Sequence, residues 1–297
     1  MFIRYMLITL VIALIGVGCS SEHTTAPAGG ATGIQAAINA SDDSNPTASA
    51  YGDGMEGRHH KTTFVVRIEN VSNASTLRLS NGETEPVPHA PGVWTVSRRA
   101  NTLFTPRRFD RGIGLEELAE DGNPSKLITS LKESRSVRSI GVFNTPVGDA
   151  NPGPATPGKA YEFIITAAPG DHLSFATMFV QSNDLFYAPT GYGIPLFKFG
   201  QHPVSGDVTR FIKLWDAGTE VNQEPGLGSD QAPRQAGPDT GKSEHERIYE
   251  IIDQRLSGYR IRDKFTYPSV AEVIKVTITP KEGTYSMSED SLEDQVE

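Results

Sequence analysis

The chain has 297 residues, a formal net charge of −9 at pH 7 and a single cysteine. The acidic balance argues against nucleic acid or an anionic lipid surface as the main partner, and one cysteine excludes an intramolecular disulfide framework. With 29 glycines and 20 prolines, the composition favours a turn-rich, all-β fold with one substantial core.

Residues 1–18 have the pattern of a secretion signal peptide, with Arg4 ahead of the apolar run from Met6 to Val17. Cys19 follows directly, in LIGVGCSS, and this arrangement resembles a bacterial lipobox, whose cysteine becomes the acylated first residue. We therefore predict a lipid anchor at Cys19 in a bacterial cell envelope, with Ser20 favouring the outer membrane where there are two membranes. An ordinary signal peptide with a chance cysteine is the alternative.

The rest of the chain divides into three segments by composition. Residues 19–60 are built from Ser, Thr, Ala, Gly and Asp with few large apolar side chains, which predicts a flexible tether that carries the anchor. Residues 61–281 have the apolar patterning of one folded domain. Residues 282–297 end in SEDSLEDQVE and are expected to form a disordered acidic tail.

Strand patterns dominate the folded region. It begins at TTFVVRIENVS, where Phe64, Val66 and Ile68 recur at every second position, as in a half-buried strand. Further strands are predicted around Trp94, Val142 and Ile164, in HLSFATMFVQ, IPLFKF and VTRFIKLW, and from Ile274 to Ile278. Proline and glycine turns separate these segments at short intervals, which is typical of an antiparallel β-sandwich with hairpin connections.

One region has helical spacing, in GLEELAEDGNPSKLITSLKES. Leu127 and Leu131 lie four residues apart, and Asn123 and Pro124 suit the start of a helix. We predict a short helix-turn-helix excursion packed on the sandwich, with no DNA-reading role.

A basic stretch precedes this helical region. It runs from Arg98 to Arg111 and contains five arginines, which predicts a surface loop. These side chains can bind an anionic glycan or a phosphate, and a solvated loop is the alternative.

Carboxylates follow two of the predicted strands. Asp184 comes after LSFATMFVQ, and Asp216 and Glu220 come after VTRFIKLW, so we expect both turns at one end of a sheet. Gly218 gives the backbone freedom for a tight turn between Asp216 and Glu220. Calcium takes six to eight oxygen ligands of this kind, whereas solvated turn residues are the alternative interpretation.

The same stretch resembles the spondin domain, the module of F-spondin, mindin and many secreted bacterial proteins. The resemblance is carried by LSFATMFVQSND, LWDAGTEVNQEPG and QAPRQ, and upstream by GLEELAEDGNPSKL and FNTPVG. These segments follow the family's order from about Phe64 to Thr279. The resemblance implies an antiparallel β-sandwich, similar to calcium-dependent membrane-targeting sandwiches, with a calcium ion in loops at one end and no catalytic role.

By position, the resemblance assigns calcium ligands to Asp184, Asp216 and Glu220, with Glu162 in YEF as a fourth carboxylate. The sequence departs from animal members, because they have Asp at the Glu220 position, a proline-rich turn in place of QSND, and cysteines that this chain lacks. Glu for Asp keeps the charge and adds one methylene, so we expect calcium binding to be retained.

The expected function is a calcium-binding, non-enzymatic lipoprotein domain for adhesion or recognition, at the cell surface or in the periplasm. Its partner is expected to be an unidentified extracellular protein or glycan, with membrane contact through the anchor only and no nucleic acid. The chain has no GxSxG elbow and no HExxH. Two alternatives stay open: a glycan hydrolase that uses Asp184 and Asp216, and a structural envelope protein whose ion only stabilises the sandwich.

Overall fold

The computed structural model describes residues 61–98, 101–199, 201–251 and 264–281. The predicted signal peptide, Cys19 with its tether, and the acidic tail lie outside these residues. The helices of the described part are α1 (Leu115–Asp121), α2 (Ser125–Leu131) and α3 (Val270–Val273). None of them is long and apolar enough to span a membrane.

The strands of the described part are β1 (Thr62–Asn70), β2 (Leu77–Arg78), β3 (Thr84–Glu85), β4 (His89–Ser97), β5 (Val137–Phe143), β6 (Ala160–Ala167), β7 (His172–Phe179), β8 (Leu185–Pro189), β9 (Ile194–Pro195), β10 (Phe197–Lys198), β11 (His202–Pro203), β12 (Gly206–Asp207), β13 (Ile212–Asp216), β14 (Tyr249–Glu250) and β15 (Ile274–Pro280). Two main sheets result. One has four strands in the order β12-β15-β1-β6, and the other has seven, in the order β14-β13-β8-β7-β4-β5 with β9 beside β7. All of these pairings are antiparallel, which confirms the all-β sandwich with a short helical excursion.

The main core lies between the two sheets. Phe64, Val66 and Ile68 of β1 are fully buried in it, as their alternation predicts. From the seven-stranded sheet, β7 contributes Phe175 and Phe179 to the same core. Burying side chains of this size contributes about 2 kcal/mol each, so the facing sheets hold each other in place.

A second core covers the other face of the seven-stranded sheet. Leu118 of α1 and Leu127 of α2 pack there with Ala176 of β7 and Trp215 of β13. Because β7 is sandwiched between the two cores, almost all of its residues are buried. The predicted helical pair is confirmed, and its packing places α1 against the end of the sheet that carries the acidic turns.

Two local predictions are wrong. The stretch from Arg98 to Arg111 is not simply a surface loop, because Leu103 and Phe104 are buried in the second core. The segment VTRFIKLW is not a strand throughout, because Thr209–Phe211 forms a 3₁₀ turn ahead of β13.

Candidate metal site

The two acidic turns meet at one end of the seven-stranded sheet. Asp184 immediately precedes β8, and Asp216 is the last residue of the neighbouring β13. The backbone N–H groups of Thr219 and Glu220 donate to Asp184 Oδ2 over 2.8 and 3.2 Å. The second turn therefore wraps around the carboxylate of the first.

Gly218 makes this wrapping possible. Its φ is 69°, a left-handed conformation that costs a side-chain-bearing residue about 1 kcal/mol. A Cβ at this position would also lie 2.7 Å from the carbonyl carbon of Glu246. The backbone N–H of Gly218 donates to Asp216 Oδ1 over 2.7 Å, so the turn is fixed by the carboxylate that it follows.

Glu220 binds the protein with both carboxylate oxygens. Oε1 accepts a 2.7 Å hydrogen bond from the N–H of Gly241, and Oε2 accepts a 3.2 Å hydrogen bond from Asn183 Nδ2. A larger residue at position 241 would displace the Glu220 carboxylate, because a Cβ there would lie 1.9 Å from Glu220 Oε2. Glu220, in the second acidic turn, thus links Asn183 of the first acidic turn to Gly241 in the segment 236–246.

A fourth carboxylate, which the sequence interpretation missed, lies near enough to Asp184 to influence its charge. Glu120 of α1 is only 2% exposed, and its charge raises the pKa of Asp184. We use the name acidic site for Glu120, Asp184, Asp216 and Glu220. The available signal was the segment LAEDGN, which carries part of the resemblance.

Two oxygens of the acidic site are buried without a donor. Within the described part of the chain, no hydrogen-bond partner reaches Glu120 Oε1 or Asp184 Oδ1. A buried polar atom in this state costs about 1–3 kcal/mol, and far more when it is charged. When ionised, these sheltered oxygens are acceptors only, and either a proton or a bound cation can stabilise them.

Burial also raises the pKa values of carboxyl groups in the acidic site. Burial raises the pKa of Glu120 to about 8, although a hydrogen bond from the Thr219 side chain opposes part of the rise. Burial also raises the pKa of Asp184 well above its usual range, and the charge of Asp216 raises it further. Without a cation, these carboxylates are held close together at a cost in free energy.

A second group of carboxylates adjoins the acidic site at Glu120. Glu116, Glu120 and Asp239 each place one carboxylate oxygen within 4.8 Å of the others, and together they can hold a metal ion. Asp239 has a φ of 53°, which is uncommon for a residue other than glycine.

The segment that carries Asp239 is tied to the second acidic turn by backbone hydrogen bonds. Val221 N–H donates to Lys242 O over 2.8 Å, Glu244 N–H donates to Thr219 O over 2.8 Å, and Glu246 N–H donates to Gly218 O over 2.7 Å. Asp239 is therefore carried by a segment that is paired with the acidic site.

The structure does not place Glu162 with the other assigned ligands. Glu162 lies on β6 in the four-stranded sheet, on an exposed position opposite Arg67. Its Oε2 is 3.8 Å from Arg67 Nη1, a surface ion pair that contributes little to stability. The strand predicted around Glu162 is confirmed, but it belongs to the four-stranded sheet. Glu120 is the fourth carboxylate of the acidic site instead.

The donor set of the acidic site fits a hard divalent cation. Its side-chain ligands are carboxylates, which suit calcium or magnesium, whereas zinc and copper favour nitrogen and sulfur. Calcium accepts irregular geometry and several carboxylates, whereas magnesium requires a near-ideal octahedron.

Comparison of the sequence with protein-family models and with curated proteins finds no match in either case. The chemistry of the acidic site therefore has to be argued from its own atoms.

Proposed function

We propose that this chain is a calcium-binding, non-enzymatic domain of the spondin type, held at the bacterial envelope for adhesion or recognition. The observation that carries the proposal is the pair of buried oxygens without donors, Glu120 Oε1 and Asp184 Oδ1, beside Asp216. A divalent cation would supply a positively charged partner for these oxygens. The resemblance of the same stretch to the spondin domain supports calcium as that cation.

Asp184, Asp216 and Glu120 would supply the ligands, since they come from three different elements and are all buried. Calcium would draw these oxygens together, because they do not all lie within 4.8 Å of one another. Glu220 would complete the set, since each of its oxygens accepts one hydrogen bond and retains lone pairs. Calcium bound there would supply the attraction that holds α1, the turn before β8 and the turn after β13 together. The ion would thereby order this end of the sandwich.

The burial of Asp184 favours binding over catalysis, although Asp216 lines an open cavity. A retaining glycosidase needs two carboxylates about 5 Å apart on either side of an accessible glycosidic bond. Asp184 is fully buried, so a sugar cannot reach it without opening the turn. A purely structural envelope protein remains the second candidate, because the same geometry would stabilise the fold whether or not a partner binds.

Calcium titration of the purified protein by calorimetry tests the proposal, with magnesium as competitor and chelator as reference. We expect saturable binding that is stronger at pH 9 than at pH 6, because the pKa of Glu120, at about 8, makes protons compete with the ion below that value.

Glu120→Gln should weaken this binding strongly, and Glu162→Gln is the matched control on the other sheet. The proposal fails if wild-type protein gives no binding heat and the same unfolding temperature in calcium and in chelator.

A pull-down on an extracellular protein and glycan panel separates recognition from a structural role. A selective ligand supports recognition, and turnover of any glycan that is lost in Asp184→Asn would favour the hydrolase.

A further inference from the structure

Three arginines and a phenylalanine form one exposed surface beside the second acidic turn, where Arg247 lines the same cavity as Asp216. Arg107, Arg108, Phe109 and Arg247 are all exposed, and we call this surface the arginine face. The guanidinium carbon of Arg247 lies 5.5 Å from the centre of the Phe109 ring, within the range of a cation–π contact. The face therefore combines positive charge with a partly exposed aromatic ring.

The backbone beneath the arginine face is fixed. Arg107 N–H donates to Ile248 O over 2.8 Å, and Ile248 N–H donates to Arg108 O over 2.9 Å. Ile248 is buried in the second core, so it anchors both sides of the face. Arg111 also fixes this loop, because its Nη2 donates a hydrogen bond to Leu103 O over 2.9 Å.

Arg107 is held in an unfavourable conformation. Its φ is 63°, which costs a residue with a side chain about 1 kcal/mol or more. Residues held in this way cluster at binding sites, where the surrounding structure maintains the strain. The two hydrogen bonds to Ile248 provide that constraint here.

The arginine face forms no ion pair within 4.0 Å in the described part of the chain, although Glu244 and Glu246 line one cavity with Arg247. The ion pairs found there involve other cations, from Arg67, Lys126, Arg138, Lys159 and Lys213. Three exposed arginines without an ion pair among the described residues stand out on a chain whose net charge is −9. Such a local positive surface attracts anions that the rest of the molecule repels.

We propose that the arginine face binds an anionic polysaccharide. Guanidinium groups match sulfate, phosphate and carboxylate oxygens in a bidentate geometry, and Phe109, which is 56% exposed, offers an apolar surface to a sugar ring. The four exposed side chains present an open surface, which suits an extended chain. Nucleic acid and anionic membranes require broader positive charge than three arginines on an acidic protein provide.

The test uses the full chain in detergent micelles and immobilised dextran sulfate as the probe, with unsulfated dextran as the reference surface. The triple variant R107Q/R108Q/R247Q should bind dextran sulfate at least about tenfold more weakly than wild type, because three charge-assisted contacts are lost. The matched control is R78Q/K132Q/R135Q, which removes the same charge from exposed positions on β2 and after α2. This control should lose less than about threefold, the contribution of net charge alone.

Two further variants keep the test independent of folding. Arg247→Gln alone changes an exposed side chain and should weaken binding about threefold, whereas Arg247→Lys should recover only part of that loss because the planar fork is absent. Equal losses in the two triple variants would overturn the proposal, as would equal binding to unsulfated dextran. Stronger competition by phosphatidylglycerol vesicles than by soluble dextran sulfate would overturn it in favour of a membrane.

Discussion

Two clusters of buried polar side chains satisfy their hydrogen bonds in different ways. In the Asn70 cluster, which comprises Asn70, Ser72 and Tyr161, the groups pair within the protein. Asn70 Nδ2 donates to Val87 O and Ala155 O over 2.9 and 2.7 Å, and its Oδ1 accepts from Ser72 N–H over 2.9 Å. The Tyr161 hydroxyl donates to Gly153 O over 2.7 Å.

The acidic site also buries polar groups, but it leaves Glu120 Oε1 and Asp184 Oδ1 without donors in the described part of the chain. The Asn70 cluster is neutral and locks the loop around Ala155 to the sandwich, so its role is complete within the fold. The acidic site carries like charges that repel one another. The Asn70 cluster is thus complete within the fold, whereas the acidic site can be stabilised further by protons or by a cation.

The largest expected effect comes from opening the Asn70 cluster. Asn70→Ala would remove four hydrogen bonds, two that Nδ2 donates to Val87 O and Ala155 O and two that Oδ1 accepts from the N–H and the hydroxyl of Ser72. The two carbonyls keep weaker donors, the Ser72 hydroxyl at 3.2 Å and the His89 backbone N–H at 3.1 Å. We expect a loss of about 4 kcal/mol in the free energy of unfolding, since each of the four lost hydrogen bonds contributes about 1 kcal/mol. Urea denaturation should give the same loss in calcium and in chelator. A loss that calcium reverses would show that the two clusters are not separate.

A pH effect of similar sign but smaller size is expected at His89, beside the Asn70 cluster. Burial lowers the pKa of His89 to about 4 from an ordinary value of 6.5, despite its hydrogen bond to Val273 O. Because the folded pKa is the lower one, the contribution to stability is present above pH 6.5 and is lost as the pH falls to about 4. The shift corresponds to about 3 kcal/mol.

Urea midpoints measured from pH 7 to pH 4 check this prediction, with His89→Gln as the comparison. The variant should lose much of the acid dependence, because glutamine does not titrate. An unchanged slope between these two proteins would assign the acid sensitivity to other groups.

Asp184→Asn tests the acidic site, because it should remove the gain in stability that calcium gives to the wild-type protein. In chelator, the variant should be as stable as wild type or more stable, because a neutral side chain removes repulsion with Asp216 and Glu120. At a calcium concentration of about one hundred times the wild-type Kd, wild type should gain about 2.7 kcal/mol, which the variant should lack. Thermal unfolding in both buffers measures the difference. Parallel gains in the two proteins would contradict the proposed role of Asp184.

The sequence predicted those features that depend on local pattern. The alternation of Phe64, Val66 and Ile68 identifies a strand and its buried face, and two strands that end in carboxylates predict that their turns meet. Their convergence also follows from antiparallel pairing, because Asp216 of β13 lies opposite Leu185, the residue after Asp184.

The remaining features depend on tertiary packing. Glu120 joins the acidic site because α1 folds back onto the end of the sheet, and helical spacing alone does not specify that direction. The position of Glu162 within its strand predicts an exposed side chain but not the sheet to which the strand belongs. The basic composition near Arg107 likewise obscures the two apolar residues, Leu103 and Phe104, that bury their side chains beneath the helices.

The smallest expected effect concerns Glu220, which shares features with both clusters. Its oxygens are already satisfied by Asn183 and Gly241, as in the Asn70 cluster, yet it belongs to the acidic site. Glu220→Gln keeps one acceptor and replaces the other by an NH₂ group, so one of the two hydrogen bonds is lost along with the charge.

We therefore expect calcium binding to weaken about tenfold, or about 1.4 kcal/mol, without being abolished. Calorimetric titration measures this change, and Glu162→Gln, which removes the same charge from the other sheet, should leave the affinity within about twofold because an exposed carboxylate is screened. Complete loss of binding in Glu220→Gln would make Glu220 a principal ligand. Its carboxylate would then bind the ion and also accept the hydrogen bond from Gly241. No change would restrict it to structural pairing, and the ion would then be held by Glu120, Asp184 and Asp216.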